Sequence, residues 1–133
     1  MRFCHCATSA TAGPRCDGVS RISAIASGAF PNRLLVLDTE AGKTIAALDI
    51  VGDTDDLFYD PANKRIYVSG GEGRITIIGQ TNADTYKVLG EVATAPGART
   101  SFFVPETGAL YVAVPHRGKQ RAELRVFAAA PAK

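Results

Sequence analysis

The chain has 133 residues, of which 46% are hydrophobic and 21% are charged, and its formal net charge is +2. This apolar content excludes a disordered polar chain, and the near balance of charges gives no electrostatic preference for nucleic acid or an anionic membrane. No apolar run reaches the roughly 20 residues that a membrane-spanning helix needs. Length and composition therefore predict a small globular chain.

The first 32 residues differ from the rest, and we expect them to be irregular, with one degraded strand at 21–28. They contain the only cysteines of the chain, at positions 4, 6 and 16. Cys4, Cys6, Cys16 and His5 are residue types that bind soft metals, but their spacing fits no zinc pattern. The segment also lacks the apolar stretch of a secretory signal peptide. We therefore expect no metal, no cofactor and no export signal.

Beyond this segment, short runs of β-branched and aromatic residues alternate with clusters of Gly, Pro, Asn and Asp. No stretch keeps a helical period over ten residues, so the pattern predicts strands joined by tight turns in antiparallel order. Nine strands are predicted, at residues 33–38, 44–50, 56–60, 65–69, 74–79, 86–92, 100–104, 109–114 and 123–128.

These strands recur in register. An offset of 44 positions places Pro105 over Pro61 and Tyr111 over Tyr67, and the sequence RLLVL lies 41 positions before RITII. A period of about 40 to 45 residues that contains four strands is typical of a β-propeller blade. The spacing thus predicts an all-β fold made of antiparallel four-stranded blades of a partial β-propeller.

The repeat also divides the chain. Residues 33–50 form the two outer strands of one blade, 56–92 a complete blade, and 100–128 a three-stranded blade, followed by a tail at 129–133. Even the smallest propeller, with about four blades, needs roughly 160 residues. We therefore expect a truncated product.

Three segments within residues 32–127 carry a family resemblance: RLLVLDTEAGKTIAALDI, GDTDDLFYDPANKRIYVSGGEGRITII and TAPGARTSFFVPETGALYVAVPHRGKQRAELRVF. Through these segments the sequence resembles the YVTN or YncE-like family of bacterial β-propeller proteins. It implies a propeller that serves as a non-enzymatic scaffold for a ligand or partner. Because such propellers resemble several functional classes, two alternatives stay open: a lactonase-like hydrolase with a metal in the channel, and a propeller that binds single-stranded DNA. The family is often periplasmic, but this sequence leaves its own compartment undetermined.

Antiparallel order places four loops on one rim, at 52–56, 69–73, 95–100 and 115–120. Loops on a rigid scaffold carry function more often than the scaffold does, so any site is expected on this rim. The turns of the opposite rim are interpreted as ordinary hairpin connections.

The candidate ligand groups of this rim are basic and acidic. Arg99 and Arg117 can offer a bidentate fork to an anion, and His116 can offer a tunable proton. Three clustered carboxylates suit a hard cation or acid–base work, namely Asp53, Asp55 and Asp56. We see no arrangement of a nucleophile and a base, so no catalytic residues are expected. The predicted ligand-binding residues are Arg99, His116, Arg117, Asp55 and Asp56.

The apolar pattern also predicts a partner. Propeller blades bury both faces against neighbouring blades, and most of those neighbours lie outside a chain of this length. An uncovered face of several hundred Å² forgoes on the order of 10 kcal/mol at about 25 cal/mol per Å². We therefore expect the chain to associate with itself through its open blade faces.

Overall fold

The computed structural model describes residues 23–27, 32–38 and 41–129. This part of the chain contains strands and no helix, and so holds no helical segment that could cross a membrane. The described residues do not include the segment that contains Cys4, Cys6, Cys16 and His5, the residue types that can bind soft metals. The strands are β1 (Ser23–Ser27), β2 (Arg33–Asp38), β3 (Lys43–Asp49), β4 (Thr54–Asp60), β5 (Arg65–Gly70), β6 (Arg74–Asn82), β7 (Thr85–Ala93), β8 (Thr100–Val104), β9 (Ala109–Val114) and β10 (Glu123–Ala128).

The strands form three antiparallel sheets in chain order. The first sheet has the order β1-β2-β3, the middle sheet β4-β5-β6-β7, and the third sheet β10-β9-β8. Each sheet is a meander, in which every strand pairs with the strand that follows it along the chain. The all-β prediction with a four-stranded antiparallel middle sheet is confirmed.

Short turns of fixed backbone geometry set these meanders. At Gly42 and Gly108 the backbone adopts φ values of +65° and +62°, in the left-handed region that glycine enters at low cost. Gly42 ends the turn into β3, and Gly108 ends the turn into β9. Strands such as RIYVSG are rich in β-branched and aromatic residues, which pack well on a pleated surface.

The middle sheet separates two hydrophobic cores. Side chains of one strand alternate between its faces, so Ile66 and Val68 of β5 face the first sheet while Tyr67 faces the third. The buried core towards the first sheet comprises Leu34, Val36, Ile50, Val51, Ile66, Val68, Ile78 and Tyr86. The buried core towards the third sheet comprises Tyr67, Ile75, Ala95, Ala98, Phe103, Leu110, Val112 and Val114.

Matching strands of successive sheets lie side by side. The first strand of the middle sheet, β4, contacts the first strand of the third sheet, β8. The last strand of the first sheet, β3, contacts the last strand of the middle sheet, β7. The sheets are therefore stacked in register, and their connecting loops meet at two opposite rims.

The predicted strand boundaries hold with small shifts. The weak strand predicted at 21–28 is observed as β1, which completes the first sheet. Strand β6 continues to Asn82, into a stretch predicted as loop, because Gln80 and Asn82 still pair with β7. Strand β4 begins at Thr54, before the predicted start, because Thr54 pairs with Gly70. Of the segment predicted to be irregular, 1–32, residues 1–22 and 28–31 lie outside the described residues, as does the tail beyond residue 129.

Candidate functional site

The four loops predicted to share one rim contact one another. We call this edge the loop rim: it consists of residues 50–53, 71–73, 94–99 and 115–122. The amide of Gly71 donates to the carbonyl of Asp53 at 2.9 Å, and the amide of Gly97 donates to the carbonyl of Gly71 at 2.7 Å. The side-chain Nε2 of Gln120 donates to the carbonyl of Pro96 at 3.1 Å. Hydrogen bonds thus connect the loops into one continuous surface across all three sheets.

Arg99, a predicted ligand residue, is held in an ion pair. Its Nη1 lies 2.8 Å from Oδ1 of Asp53, and both side chains are about half exposed, at 49% and 51%. Asp53 adopts a φ of +53°, a left-handed conformation that Asp tolerates better than most residues. The other carboxylate oxygen of Asp53 lies where a Cβ of Gly71 would be, so the glycine is needed for this approach. The ion pair therefore joins the loop before β4 to the loop before β8.

Asp56 and Asp55 lie at the start of β4 and are half-buried. Oδ2 of Asp56 accepts a hydrogen bond from the backbone amide of Ser101 at 2.8 Å. Ser69 lies beside this contact, and its Oγ is 2.6 Å from Oγ of Ser101 and donates to the carbonyl of Arg99 at 3.0 Å. The Asp56 carboxylate thus connects the middle sheet to the third sheet, a structural use that sequence reasoning did not identify.

A chain of alternating charges runs along the outer part of the loop rim. Arg74 pairs with Glu72 at 2.8 Å and with Glu91 at 3.0 Å. The hydrogen bond from Arg74 and one from the Gly52 amide lower the pKa of Glu72 below its ordinary value. Oε1 of Glu91 in turn accepts from Oγ1 of Thr76 at 3.3 Å. The single guanidinium of Arg74 is shared by two carboxylates, so this part of the rim carries an excess of one negative charge.

The loop between β9 and β10 is different, because its exposed side chains are basic. Arg117 lies over the loop that precedes β8, with its guanidinium Cζ 2.6 Å from the position that a Cβ of Gly97 would occupy. Gly97 has a φ of +80°, so both its conformation and the close approach of Arg117 require glycine. The basic exposed residues of this loop are His116, Arg117, Lys119 and Arg121.

Of the five predicted ligand residues, the structure brings Arg117 and Arg99 near each other, because the Arg117 side chain reaches from the β9–β10 loop to the loop that bears Arg99. The guanidinium of Arg117 covers Gly97, which is two positions before Arg99. His116 is exposed on the neighbouring loop, and in the described part of the chain it makes no hydrogen bond or ion pair with either arginine. Asp56 is directed to Ser101 instead. The arrangement can present positive charge on a hydrogen-bonded backbone frame.

The described residues offer no ready-made metal site. Within them, no group of three or more His, Cys, Asp or Glu side chains is placed to hold a metal ion. The carboxylates that the sequence brought together are divided between the Arg99 ion pair of Asp53 and the Ser101 contact of Asp56.

The opposite edge, which we call the hairpin rim, consists of residues 41–42, 61–64, 83–84 and 105–108. Asp60, which precedes the turn 61–64, is 2% exposed, and its Oδ1 accepts from the amides of Ala62 and Asn63 at 3.0 and 3.2 Å. Its Oδ2 accepts from Nδ2 of Asn63 at 2.7 Å and from the Tyr67 hydroxyl at 3.2 Å. Sequence reasoning missed this buried carboxylate, although the spacing of Asp60 and Asn63 around a proline turn was a usable signal.

Tyrosines form a second polar network on the hairpin rim. The Tyr59 hydroxyl donates to Oε1 of Gln80 at 2.7 Å, and Nε2 of Gln80 donates to the Tyr86 hydroxyl at 2.8 Å. Burial raises the pKa of Tyr86 to about 12. Burial, followed by the charge of Asp60, also raises the pKa of Tyr59.

A cavity of about 300 Å³ opens beside this network. Three cationic side chains line it, Lys64, Arg65 and Lys87, together with the polar Asn63 and Gln80. Sequence reasoning did not identify this cavity, because its walls come from the turn 61–64 and from three different strands, β5, β6 and β7.

Comparison of the sequence with protein-family models and with curated proteins finds no match to the chain.

Proposed function

We propose that the three sheets are blades of a β-propeller of the YVTN or YncE-like kind. Three features support the proposal: the four-stranded meander of the middle sheet, the stacking of β4 on β8, and the stacking of β3 on β7. The sequence offset of 44 positions relates strands that hold the same place in their sheets, since β5 and β9 are both second strands. A repeated blade that packs on the next blade in register is the building principle of propellers.

We further propose that the chain works as a non-enzymatic binding scaffold, and that its loop rim binds a small anion bearing phosphate or carboxylate groups. One observation carries this proposal: the Arg117 guanidinium lies over the loop that also bears Arg99. Two guanidinium groups on adjoining loops can together grip an anion, and Arg forms bidentate hydrogen bonds with phosphate and carboxylate oxygens.

The surroundings of these arginines favour the same ligand. The Asp53 ion pair positions Arg99 while leaving its side chain half exposed, at 49%. His116, Lys119 and Arg121 add exposed basic groups along the β9–β10 loop. The backbone bonds between the loops hold this surface in one geometry before a ligand arrives, which reduces the entropy cost of binding.

The experiment is a titration of the ¹⁵N-labelled protein with inorganic phosphate and then pyrophosphate, followed by amide chemical shifts. We expect shifts at the loop-rim amides of Gly71, Gly97 and Gly118, weakened by added salt. Arg117→Gln and Arg99→Gln are each expected to weaken binding about tenfold, which corresponds to about 1.4 kcal/mol.

The matched control is Lys64→Gln, which removes one exposed positive charge from the hairpin rim instead. The affinity of this variant for phosphate and pyrophosphate is expected to equal that of the unsubstituted protein. The proposal fails if phosphate and pyrophosphate cause no shift at the loop rim, or if Lys64→Gln weakens binding as much as Arg117→Gln does.

A further inference from the structure

The third sheet has one covered face and one open face. Phe103, Leu110 and Val112 point into the core shared with the middle sheet. On the other face, Leu124 is 63% exposed and Val126 57%. Phe102 is 61% exposed, with its ring edge to face against Phe58 of the middle sheet at a centroid distance of 6.1 Å. Surface apolar residues occur singly on most proteins, but a cluster of large ones on a single sheet face marks an interaction surface.

Strand pairing arranges these exposed residues in rows. Tyr111 of β9 pairs with Phe102 of β8 on one side and with Val126 of β10 on the other, so the three side chains form one row across the sheet. Leu124 lies in the neighbouring row, where it pairs with Ala113. We call the surface formed by these five residues the tail face.

The middle sheet contains the same rows, and there they are covered. Tyr67 pairs with Phe58 on β4 and with Ile77 on β6, and it stands 44 positions before Tyr111. Its ring packs on the third sheet, with its centroid 5.4 Å from that of Phe103. The neighbouring row contains Ile75, which is 2% exposed.

Equivalent positions of the middle and third sheets thus differ in whether another sheet packs against them. Ile75 holds the place in the middle sheet that Leu124 holds in the third, as their pairings with Ser69 and Ala113 show. Ile75 is covered by the next sheet, and Leu124 is not. The tail face therefore has the residue pattern of a surface that receives another sheet.

The first sheet has a complementary face. Leu34 and Val36 of β2 point into the core with the middle sheet, and the alternation of the strand places Leu35 and Leu37, which are half-buried, on the other face. Leu37 stands 41 positions before Ile78. Because the first sheet covers Ile78, the corresponding face of the first sheet suits a preceding sheet. We call this surface, marked by Leu35 and Leu37, the head face.

We propose that the tail face of one chain binds the head face of a second copy of this chain. A second copy is the partner that suits the tail face, because its head face would continue the packing that already joins the first sheet to the middle sheet and the middle sheet to the third. Two copies joined head to tail at both junctions form a ring of six sheets. Six lies within the four to eight blades of closed propellers, and a closed ring stops association at the dimer.

The first experiment measures the mass of the full chain in solution by sedimentation equilibrium. The unsubstituted protein is expected to be a dimer. The double variant Leu124→Lys and Val126→Lys introduces two charges on exposed positions of the tail face, and is expected to weaken the dimer at least tenfold while the far-ultraviolet circular dichroism stays unchanged. The matched control is Val88→Lys, which charges another exposed apolar residue, 43% exposed, on strand β7. This control should remain a dimer.

A second experiment determines the orientation. Leu35→Lys charges the head face and leaves the tail face intact, so in a head-to-tail dimer it also abolishes association. When an unlabelled tail variant is added to ¹⁵N-labelled Leu35→Lys protein, the amides of Tyr111, Leu124 and Val126 are expected to shift. Unlabelled Leu35→Lys protein should cause no shift.

Three outcomes would overturn the proposal. A monomer at high micromolar concentration would mean that the tail face is covered by the chain's own remaining residues or by a different protein. A tail variant that dimerises as well as the Val88→Lys control would remove the tail face from the interface. A Leu35→Lys protein that still dimerises would indicate a symmetric pairing of two tail faces.

Discussion

The two rims of the molecule use similar polar residues over different distances along the chain. On the hairpin rim, Asp60 binds the turn three residues ahead and Tyr67 seven residues ahead, so the partners belong to one hairpin. On the loop rim, Arg99 and Asp53 are 46 residues apart, and the amide of Ser101 and Asp56 are 45 apart. Each turn of the hairpin rim can therefore form within its own sheet, whereas the loop rim forms only when sheets pack together.

The difference also concerns burial. Asp60 is 2% exposed, while the side chains of the Asp53 ion pair are half exposed. Removing one partner of a buried polar contact lowers the free energy of unfolding strongly, whereas removing one partner of a solvent-exposed ion pair lowers it little. We therefore expect substitutions on the hairpin rim to affect stability and those on the loop rim to affect mainly binding.

The largest effect is expected from Asp60→Ala. This substitution leaves the amides of Ala62 and Asn63, the Asn63 side chain and the Tyr67 hydroxyl without their acceptor. The loss of four hydrogen bonds, most of them part-buried, around this buried carboxylate is expected to lower the free energy of unfolding by about 3 kcal/mol. Urea unfolding followed by circular dichroism measures the change.

The control for this substitution is Asp84→Ala on the same rim, where the side chain is exposed. Its free energy of unfolding is expected to change by less than about 0.5 kcal/mol. A loss below about 1 kcal/mol for Asp60→Ala would contradict the structural role of this carboxylate.

A second effect on the hairpin rim depends on pH. The folded pKa of Tyr86 is raised from 10.0 to about 12, and burial also raises the pKa of Tyr67 and Tyr59. The unfolded chain thus releases these protons first and binds fewer of them than the folded chain above pH 10. The contribution to stability is complete below pH 10 and is lost as the pH rises through about 12.

Urea midpoints measured from neutral to alkaline pH test this expectation, with tyrosinate absorbance as the direct readout of ionisation. Tyr86→Phe is expected to make the alkaline decline shallower. An unchanged slope in this variant would show that Tyr86 ionises alike in the folded and unfolded states.

A smaller effect is expected from Asp56→Ala at the junction between the middle and third sheets. It removes the acceptor of the Ser101 amide, a half-buried contact, and is expected to cost about 1 to 2 kcal/mol in the free energy of unfolding. Asp56→Asn keeps a carbonyl oxygen at this position and is expected to cost less. If both substitutions leave stability unchanged and weaken phosphate binding, Asp56 acts as a ligand group and not as a connection between sheets.

The smallest effect is expected from the ion pair of the loop rim. A double-mutant cycle of Asp53→Asn and Arg99→Gln should give a coupling energy of about 0.5 kcal/mol that declines as salt is added. A coupling above about 2 kcal/mol would mean that this rim contributes to stability as strongly as the hairpin rim does.

Much of the local structure was predictable from the sequence, because the residues that determine a strand or a turn lie next to one another in the chain. Strand β5, with the sequence RIYVSG, carries its strand signal in its own β-branched and aromatic residues, and the glycines at its turns are next to it in the chain. The same reasoning placed the four loops on one rim, because antiparallel pairing fixes which ends of the strands meet. Strand β1 was recognisable only through its repeat, because its Ala and Ser residues give a weak strand signal.

The candidate site was predictable only in part. Arg99, His116 and Arg117 were assigned to the correct rim, and their role as ligands stays a prediction. Sequence patterns gave no means to find that Asp53 would pair with Arg99, since 46 residues separate them. Asp60 was interpreted as part of an ordinary turn, because a sequence does not show that the turn is buried.

The sequence by itself determined the class of the fold, the order of the strands and the repeat that relates the sheets, since each rests on neighbouring residues and on periodicity. The tertiary structure alone decided which of two equivalent residues is buried and which is exposed. Phe58 and Phe102 occupy the same position of their sheets, yet Phe58 packs in a core while Phe102 is 61% exposed. Burial depends on which sheet lies opposite, and that is a property of packing between distant parts of the chain.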